Sequence, residues 1–313
     1  MDNKTKKRIL ITGGLGHIGA KLLHSIKPCE FEKIKILDNL TTQRYATLFN
    51  LPRDVNYDFL EDDILKVDMV KLMDDVDVVL HLDAITDAEM SFYRSDDVEK
   101  VNYHGTKRVA EGCLQSNTQL IFPSTTSVYG SQSVKVDENC PVADLKPQSP
   151  YAEYKLKSEN MLNEMGENQG LKCIICRFGT IFGTSIGMRF HTAVNKFCWQ
   201  AVMNKPLTVW KTAMNQKRPY LGLNDAISSI KFIIANEIFD NRVYNIVSSN
   251  NKLNEIVDHI KVHCPNLDIK YVESKIMNQL SYEVSSGRII EQGFNFNDSL
   301  SVGIKETINL LKS

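Results

Sequence analysis

No run of apolar residues in this chain of 313 approaches the ~20 needed to cross a bilayer, which argues against a membrane-spanning helix. Neither sign of charge is in surplus. Against 38 acidic residues stand 37 Lys and Arg, a formal net charge of −1, so nothing points to nucleic acid as a partner. Gly/Ser linkers, low-complexity tracts and internal repeats are missing, so no boundary divides the chain cleanly. The opening stretch Met1 to Lys7 is polar and lacks the apolar segment of a secretory leader, and the expected setting is the cytoplasm, away from membranes. Cysteine is scarce and scattered: seven residues, an odd number, with no disulfide framework. Cys173 and Cys176 have the spacing of a redox or zinc pair. They lie, however, in Leu171 to Arg177, which reads as a buried strand, so reduced core cysteines and no metal are expected.

What is present is an alternation. Arg8–Thr12 reads as a β-branched strand, followed at once by Gly13, Gly14, Gly16 and Gly19, and then by a helix with Ile18, Leu22, Leu23 and Ile26 at helical spacing. A strand feeding a glycine turn feeding a helix is a phosphate-binding device. Glycine lets the backbone approach a pyrophosphate, and the helix end supplies N–H groups and positive dipole. Further strands are predicted at 33–37, 56–60, 76–82, 119–123 and 171–177, with helices at 97–116 and 150–169. The expected fold is α/β: a Rossmann-type, doubly wound parallel sheet over residues 1–178. The alternation weakens after 178. Residues 179–313 read as a smaller mixed α/β lobe that supplies substrate contacts, with helices at 190–203, 224–235 (Asn224 as N-cap), 253–262 and 300–311, and strands at 207–210, 218–221 and 243–247.

In such sheets ligands bind beyond the carboxyl ends of the strands. Those ends carry the glycine turn, Asp38-Asn39, Asp63-Ile64, His81-Leu82-Asp83-Ala84, Ser124-Thr125-Thr126 and Arg177 to Thr180. Asp38 lies 19 residues beyond Gly19, where a carboxylate accepts hydrogen bonds from a ribose and repels a 2′-phosphate, so NAD is expected over NADP. Arg44, close by in sequence, is the cation that a 2′-phosphate would meet. Tyr151 and Lys155 are four apart on a predicted helix and share a face. A phenol with a pKa near ~10 is a poor base at neutral pH, but a neighbouring ammonium favours the phenolate. The pair can then take a proton from a sugar hydroxyl as hydride leaves its carbon, with the Thr125 hydroxyl holding the same oxygen.

Taken together, Gly13-x-x-Gly16-x-x-Gly19, Asp38-Asn39-Leu40, Asp63-Ile64, Asn102-x-x-Gly105-Thr106, Ser124-Thr125-x-x-Val128-Tyr129-Gly130 and Tyr151-x-x-x-Lys155 resemble the extended short-chain dehydrogenase/reductases. More narrowly, they resemble the NAD-dependent nucleotide-sugar epimerases and dehydratases. The likeness extends to Arg218 through Ala226 and to Tyr244-Asn245-Ile246. It implies Tyr151 as acid/base, Lys155 as the residue that holds the ribose and lowers the Tyr151 pKa, and Thr125 as the partner hydroxyl. It implies a cofactor bed of Gly13, Gly16, His17, Ile18, Gly19, Asp38, Asn39, Asp63, Ile64 and Leu82 together with Tyr151 and Lys155. Thr126, Thr180, Arg189 and Arg218 would meet the nucleotide-diphosphate sugar, Arg218 at its phosphates.

Three departures from that pattern bear on the reaction. Family members commonly carry two small residues after the His-Leu of the fourth strand, where this chain has Asp83 before Ala84. The family's Asn after the sixth strand becomes Thr180. Sugar 4,6-dehydratases carry Asp-Glu where this chain has Thr126-Ser127, so the groups that remove water are missing, as is the cysteine of the 3,5-epimerising reductases. What remains is 4-epimerisation, one-way 4-oxidation or 4-reduction of a nucleotide hexose or heptose, or a non-catalytic NAD(P)-sensing scaffold. The likeness also implies a homodimer formed by the helices at 97–116 and 150–169.

Overall fold

A computed structural model describes residues 6–210, 213–272 and 281–312. The first half alternates β1 (Arg8–Thr12), α1 (His17–His24), β2 (Lys33–Asp38), β3 (Tyr57–Glu61), α2 (Met69–Met73), β4 (Val78–His81), α3 (Ser95–Val98), α4 (Thr106–Ser116), β5 (Gln119–Thr125), α5 (Pro150–Gln169) and β6 (Cys173–Phe178). The second half holds β7 (Thr180–Phe182), α6 (Ala193–Val202), β8 (Leu207–Trp210), β9 (Lys217–Gly222), α7 (Leu223–Asn236), β10 (Val243–Ile246), β11 (Ser249–Lys252), α8 (Leu253–His263), β12 (Ile269–Val272), α9 (Gly287–Glu291) and α10 (Leu300–Lys312).

Seven parallel strands form the main sheet in the order β10-β6-β5-β4-β1-β2-β3. Side chains on a strand alternate between faces, and both faces are buried. Ile9, Ile11, Val78, Leu80, Ile121, Ile174 and Cys176 enter one core, while Leu10, Val79, Leu120, Phe122, Cys173 and Ile175 enter the other. An odd separation on one strand therefore sends Cys173 and Cys176 to opposite faces, which rules out a shared metal or a disulfide between them. All seven cysteines are free thiols, and no cluster of His, Cys, Asp and Glu among the described residues has the makings of a metal site.

The chain does not divide at residue 178 by a single cut. β10 returns to the main sheet as its outer strand, and α7 packs Ala226, Ile227, Ile230, Ile233 and Ile234 into the α1 side of the first core. The remaining lobe has its own core, in which Val194, Phe197, Leu207, Tyr220, Ile256 and Ile304 meet. Its strands form a three-stranded sheet, β11-β9-β7, and a two-stranded one, β12-β8.

Local chemistry accounts for the element ends and for three differences from expectation. The α5 helix starts where Ser149 Oγ accepts from Ala152 N at 3.3 Å, with Pro150 next, and stops at Gly170 with φ 78°. The helix expected over 97–116 is interrupted by a π-helical turn at Glu99–Gly105. There the Asn102 carbonyl accepts from the Thr106 and Ser158 hydroxyls (2.6 and 3.1 Å), which displaces the ordinary i→i−4 partner. Asn224 does not cap α7. Gly222 does, and Asn224 Nδ2 reaches Asp298 Oδ1 at 3.0 Å. The helix expected from Phe190 begins only at Ala193, because residues 183–191 are drawn over the glycine turn.

Candidate active site

Because all seven strands run the same way, their carboxyl ends share one edge. The glycine turn follows β1. Gly13 has φ +61°, and a Cβ there would lie 2.7 Å from the Asp83 backbone, so the turn and the end of β4 touch with no room for a side chain. Gly16 N closes on Gly13 O at 3.1 Å, and α1 then begins, with Gly16 as its N-cap and its first N–H groups directed at the turn. Asp38 accepts from Leu15 N on one oxygen and Leu40 N on the other, at 3.0 and 2.9 Å. These bonds hold the buried carboxylate rigidly and leave each oxygen a further lone pair for a ribose hydroxyl. Asn39 Oδ1 takes the Thr41 N–H and hydroxyl. Asp63 Oδ1 takes Leu65 N at 2.9 Å, Ile64 is buried, and Leu82 N bonds Thr12 O.

The end of β4 is fixed by a relay that the motifs contain but do not reveal. Thr12 Oγ1 and His81 Nδ1 are 2.7 Å apart, and His81 Nε2 and Thr106 Oγ1 are 3.0 Å apart. Since Thr106 donates its proton to Asn102 O, His81 Nε2 must donate to Thr106 and Nδ1 must accept from Thr12. Burial pushes the His81 pKa down to about 3, so the ring is neutral, as this relay requires. Asn102 also brackets Ile85, accepting from its N–H at 2.8 Å and donating to its carbonyl at 2.9 Å. The segment 82–86 is therefore held from both sides.

Two guanidiniums and an imidazole crowd the turn. His17 Nδ1 pairs with Ser185 Oγ at 2.7 Å, and Arg189 bonds the Thr86 hydroxyl. A Cβ at Gly16 would lie 3.8 Å from Arg189 Nη2 and 3.9 Å from Arg44 Nη1, and one at Gly187 would lie 2.8 Å from the Leu15 and Gly16 carbonyls. Arg189, expected at the substrate, thus sits over the cofactor turn on a loop packed against it. Burial, with Arg189 and Arg44 adding to it, drives the His17 pKa down to about 3. Burial, then Arg189, lowers Arg44 to about 10. His17 Nε2, Arg44 Nη1 and Arg189 Nε are buried without a partner. Buried donors left unmatched in this way suit an absent anion, and a dinucleotide pyrophosphate fits both their charge and the glycine turn beneath them.

Beyond β5, the Tyr151 phenol lies beside the Thr125 side chain. Burial pushes Tyr151 up to about 12, while the Thr125 hydroxyl and the Arg189 charge pull against that. Lys155 is placed differently from expectation. Its Nζ donates to Pro123 O at 2.7 Å and lies 4.4 Å from the centre of the Phe122 ring. Burial takes its pKa down to about 8, opposed by Glu159 and Asp83. The cation that acts on the Tyr151 phenol here is therefore Arg189, from the second half of the chain. Glu159 is itself held by Arg177, whose Nε lies 3.1 Å from each carboxylate oxygen and whose Nη2 is 2.6 Å from Oε2, and it accepts from Ser124.

Beside them, Thr126 Oγ1 meets Tyr282 Oη at 3.4 Å, with Ser127 next to the same phenol. Tyr282 carried no signal in the sequence, because it enters from the far C-terminal segment and belongs to no motif. Arg218 acts on Tyr282 and has a buried Nη2 without a partner. Thr180 stands opposite Tyr220 across β7 and β9, two residues from Arg218 and so on the same strand face. By contrast, Asp225 in the C-terminal signature is fully occupied by Ser248 Oγ, Asn297 N and Asp298 N (2.6, 2.8 and 3.0 Å), and ties α7 to the chain before α10.

This geometry has close parallels. An uncharacterized UDP-glucose epimerase of Bacillus subtilis is 28% identical over 234 residues, 72% of either chain. A trifunctional UDP-glucose 4,6-dehydratase, 3,5-epimerase and reductase of Arabidopsis thaliana is 26% identical over 99% of this chain, which spans about half (48%) of that protein's length. The fold is that of a UDP-glucuronic acid 4-epimerase from Bacillus cereus, a tyrosine-to-phenylalanine variant solved with a fluorinated UDP-sugar and NAD. That match has a TM-score of 0.86 and 24% identity and covers 97% of this chain and 99% of the other. The profile of the NAD dependent epimerase/dehydratase family matches residues 9–247, three quarters of the sequence, and the chain belongs to that family.

Proposed function

We propose that this protein interconverts a UDP-hexose and its 4-epimer. The observation that carries the reading is the placement of Thr125 at the end of β5, beside Tyr151, where Thr126 and Ser127 stand in place of the acid and base of a dehydratase. NAD, when bound, supplies a reversible hydride acceptor. The chain's own residues do the rest. Thr125 holds the sugar's 4-oxygen against the Tyr151 oxygen, which takes the hydroxyl proton and later returns it. Thr126, Ser127 and Tyr282 offer hydroxyls to the hexose. Arg218 meets the diphosphate through its free Nη2, a task suited to a planar guanidinium. Gly13, Gly16, His17, Ile18, Gly19, Asp38, Asn39, Asp63, Ile64 and Leu82 form the cofactor bed, with Lys155 and the Arg44 and Arg189 guanidiniums closing it. The names of the similar proteins favour UDP as the nucleotide.

The test is incubation with UDP-glucose and, separately, UDP-glucuronic acid, without added NADH. The 4-epimer should appear with no net absorbance at 340 nm, whereas stoichiometric NADH would mark a one-way dehydrogenase. We further propose that two copies pair through α4 and α5, whose outer faces carry Lys107, Glu111, Glu153 and Lys157, in a reducing cytoplasm that suits seven free thiols. Light scattering at the mass of one chain would remove the dimer.

A further inference from the structure

Asp83 is used by none of the steps above, yet it stands just past the end of β4, against the glycine turn. Its backbone abuts Gly13, and its carboxylate is half-buried and has no hydrogen-bond donor among the described residues. The charges that face it come from every element around the site: Asp38 after β2, Asp63 after β3, Lys155 on α5 and Arg189 on the loop before α6. The first two mark the adenosine side. Lys155 and Arg189 mark the side where Tyr151 works. Proton and hydride leave adjacent atoms of the sugar, so the nicotinamide ring must lie on that second side.

NAD and NADH carry the same pyrophosphate and the same riboses, and they differ by one positive charge on the ring. A charged group within Coulomb range of the ring tells them apart. Lys155 and Arg189 are both positive and both favour the neutral, reduced ring. In such a site the balance of bound cofactor shifts toward NADH. We infer that Asp83 is a specificity-determining residue for the redox state of the bound cofactor: its carboxylate offsets Lys155 and Arg189 and keeps the site selective for the oxidised nicotinamide. The inference rests on the 4-epimerase reading for its purpose, but its physical content needs no sugar.

Burial and the neighbouring Asp38 and Asp63 carboxylates raise the Asp83 pKa to about 6. The selectivity should therefore be present at pH 7.5 and fade as the pH falls through 6. The experiment measures dissociation constants of NADH, NAD and ADP-ribose on cofactor-depleted full-length protein, by NADH fluorescence and competition, for wild type and Asp83→Asn at pH 7.5 and pH 5. At pH 7.5, the ratio of the NADH constant to the NAD constant should fall about five- to tenfold in Asp83→Asn. At pH 5, wild type and variant should share one ratio. ADP-ribose, which lacks the ring, reports any change common to both cofactors. Equal ratios for wild type and variant at pH 7.5 would overturn the inference, as would a wild-type ratio that does not change between the two pH values. Failure of the 4-epimerase reading would show instead in sugar conversion and would leave these constants untouched.

Discussion

The interior of the sheet and the edge above it treat buried polar groups in opposite ways. Inside, the buried ion pair and the buried histidine are answered. Glu159 lies between Arg177 and Ser124, with the pair's side chains only 2% and 6% exposed, and Arg177 also stacks on Tyr129. His81 is bonded at both nitrogens. At the edge, His17, Arg44, Arg189 and Arg218 each keep a buried nitrogen without a partner, and the half-buried Asp83 carboxylate has no hydrogen-bond donor among the described residues. Residues of one chemical type thus serve structure in one place and ligand recognition in the other. What separates them is whether the protein completes their hydrogen bonds itself.

Mutations on either side should expose that contrast. The largest effect is expected from Tyr151→Phe, which removes only a hydroxyl at the edge. Turnover should fall by ~10³-fold while the thermal midpoint holds, measured by sugar conversion and by calorimetry. In the interior the pattern should invert. Glu159→Ala strands Arg177 without its partner and should cost about 3–5 kcal/mol of stability in denaturant unfolding, because a buried charge is left unpaired. Next comes Arg218→Gln. Its lost diphosphate contacts should raise KM ~10-fold or more with little change in stability, since no protein partner is lost. A stability loss instead would move Arg218 into the interior class.

The smallest effect is a gain. The pKa of Asp83 is raised in the folded chain, so the folded state binds more protons than the unfolded one between roughly pH 4 and pH 6. Stability from this group therefore falls as pH rises through that window. Asp83→Asn should accordingly melt higher than wild type at pH 7.5, and the two should converge near pH 4. A lower melting point for the variant at pH 7.5 would show that the carboxylate has a stabilising partner.

The same contrast explains how much could be read in advance. The glycine turn, Asp38 and the alternating strands were legible because each obeys a local rule: a backbone with no room for Cβ, or a strand buried on both faces. The position of Thr125 followed from the strand-end logic, since β5 ends on it. The Arg189 position and Tyr282 were not legible, since both arrive from distant segments and are placed by tertiary packing alone. Lys155 shows the limit of spacing arguments. Four residues put it on the same face as Tyr151, but Pro123 O claims its ammonium. The π-helical turn at Glu99–Gly105 was hidden for a similar reason, as its cause is a hydroxyl on another helix, Ser158.

The central claim is that a hydride leaves C4 of a UDP-hexose, a proton leaves its 4-hydroxyl oxygen, and both return within the same closed site. Turnover of UDP-glucose or UDP-glucuronic acid in D2O, followed by proton NMR, tests it directly. The account predicts a 4-epimer that keeps its original hydrogen on C4, with no deuterium there. Deuterium at C4, or a 4-keto product that accumulates with NADH, would contradict it.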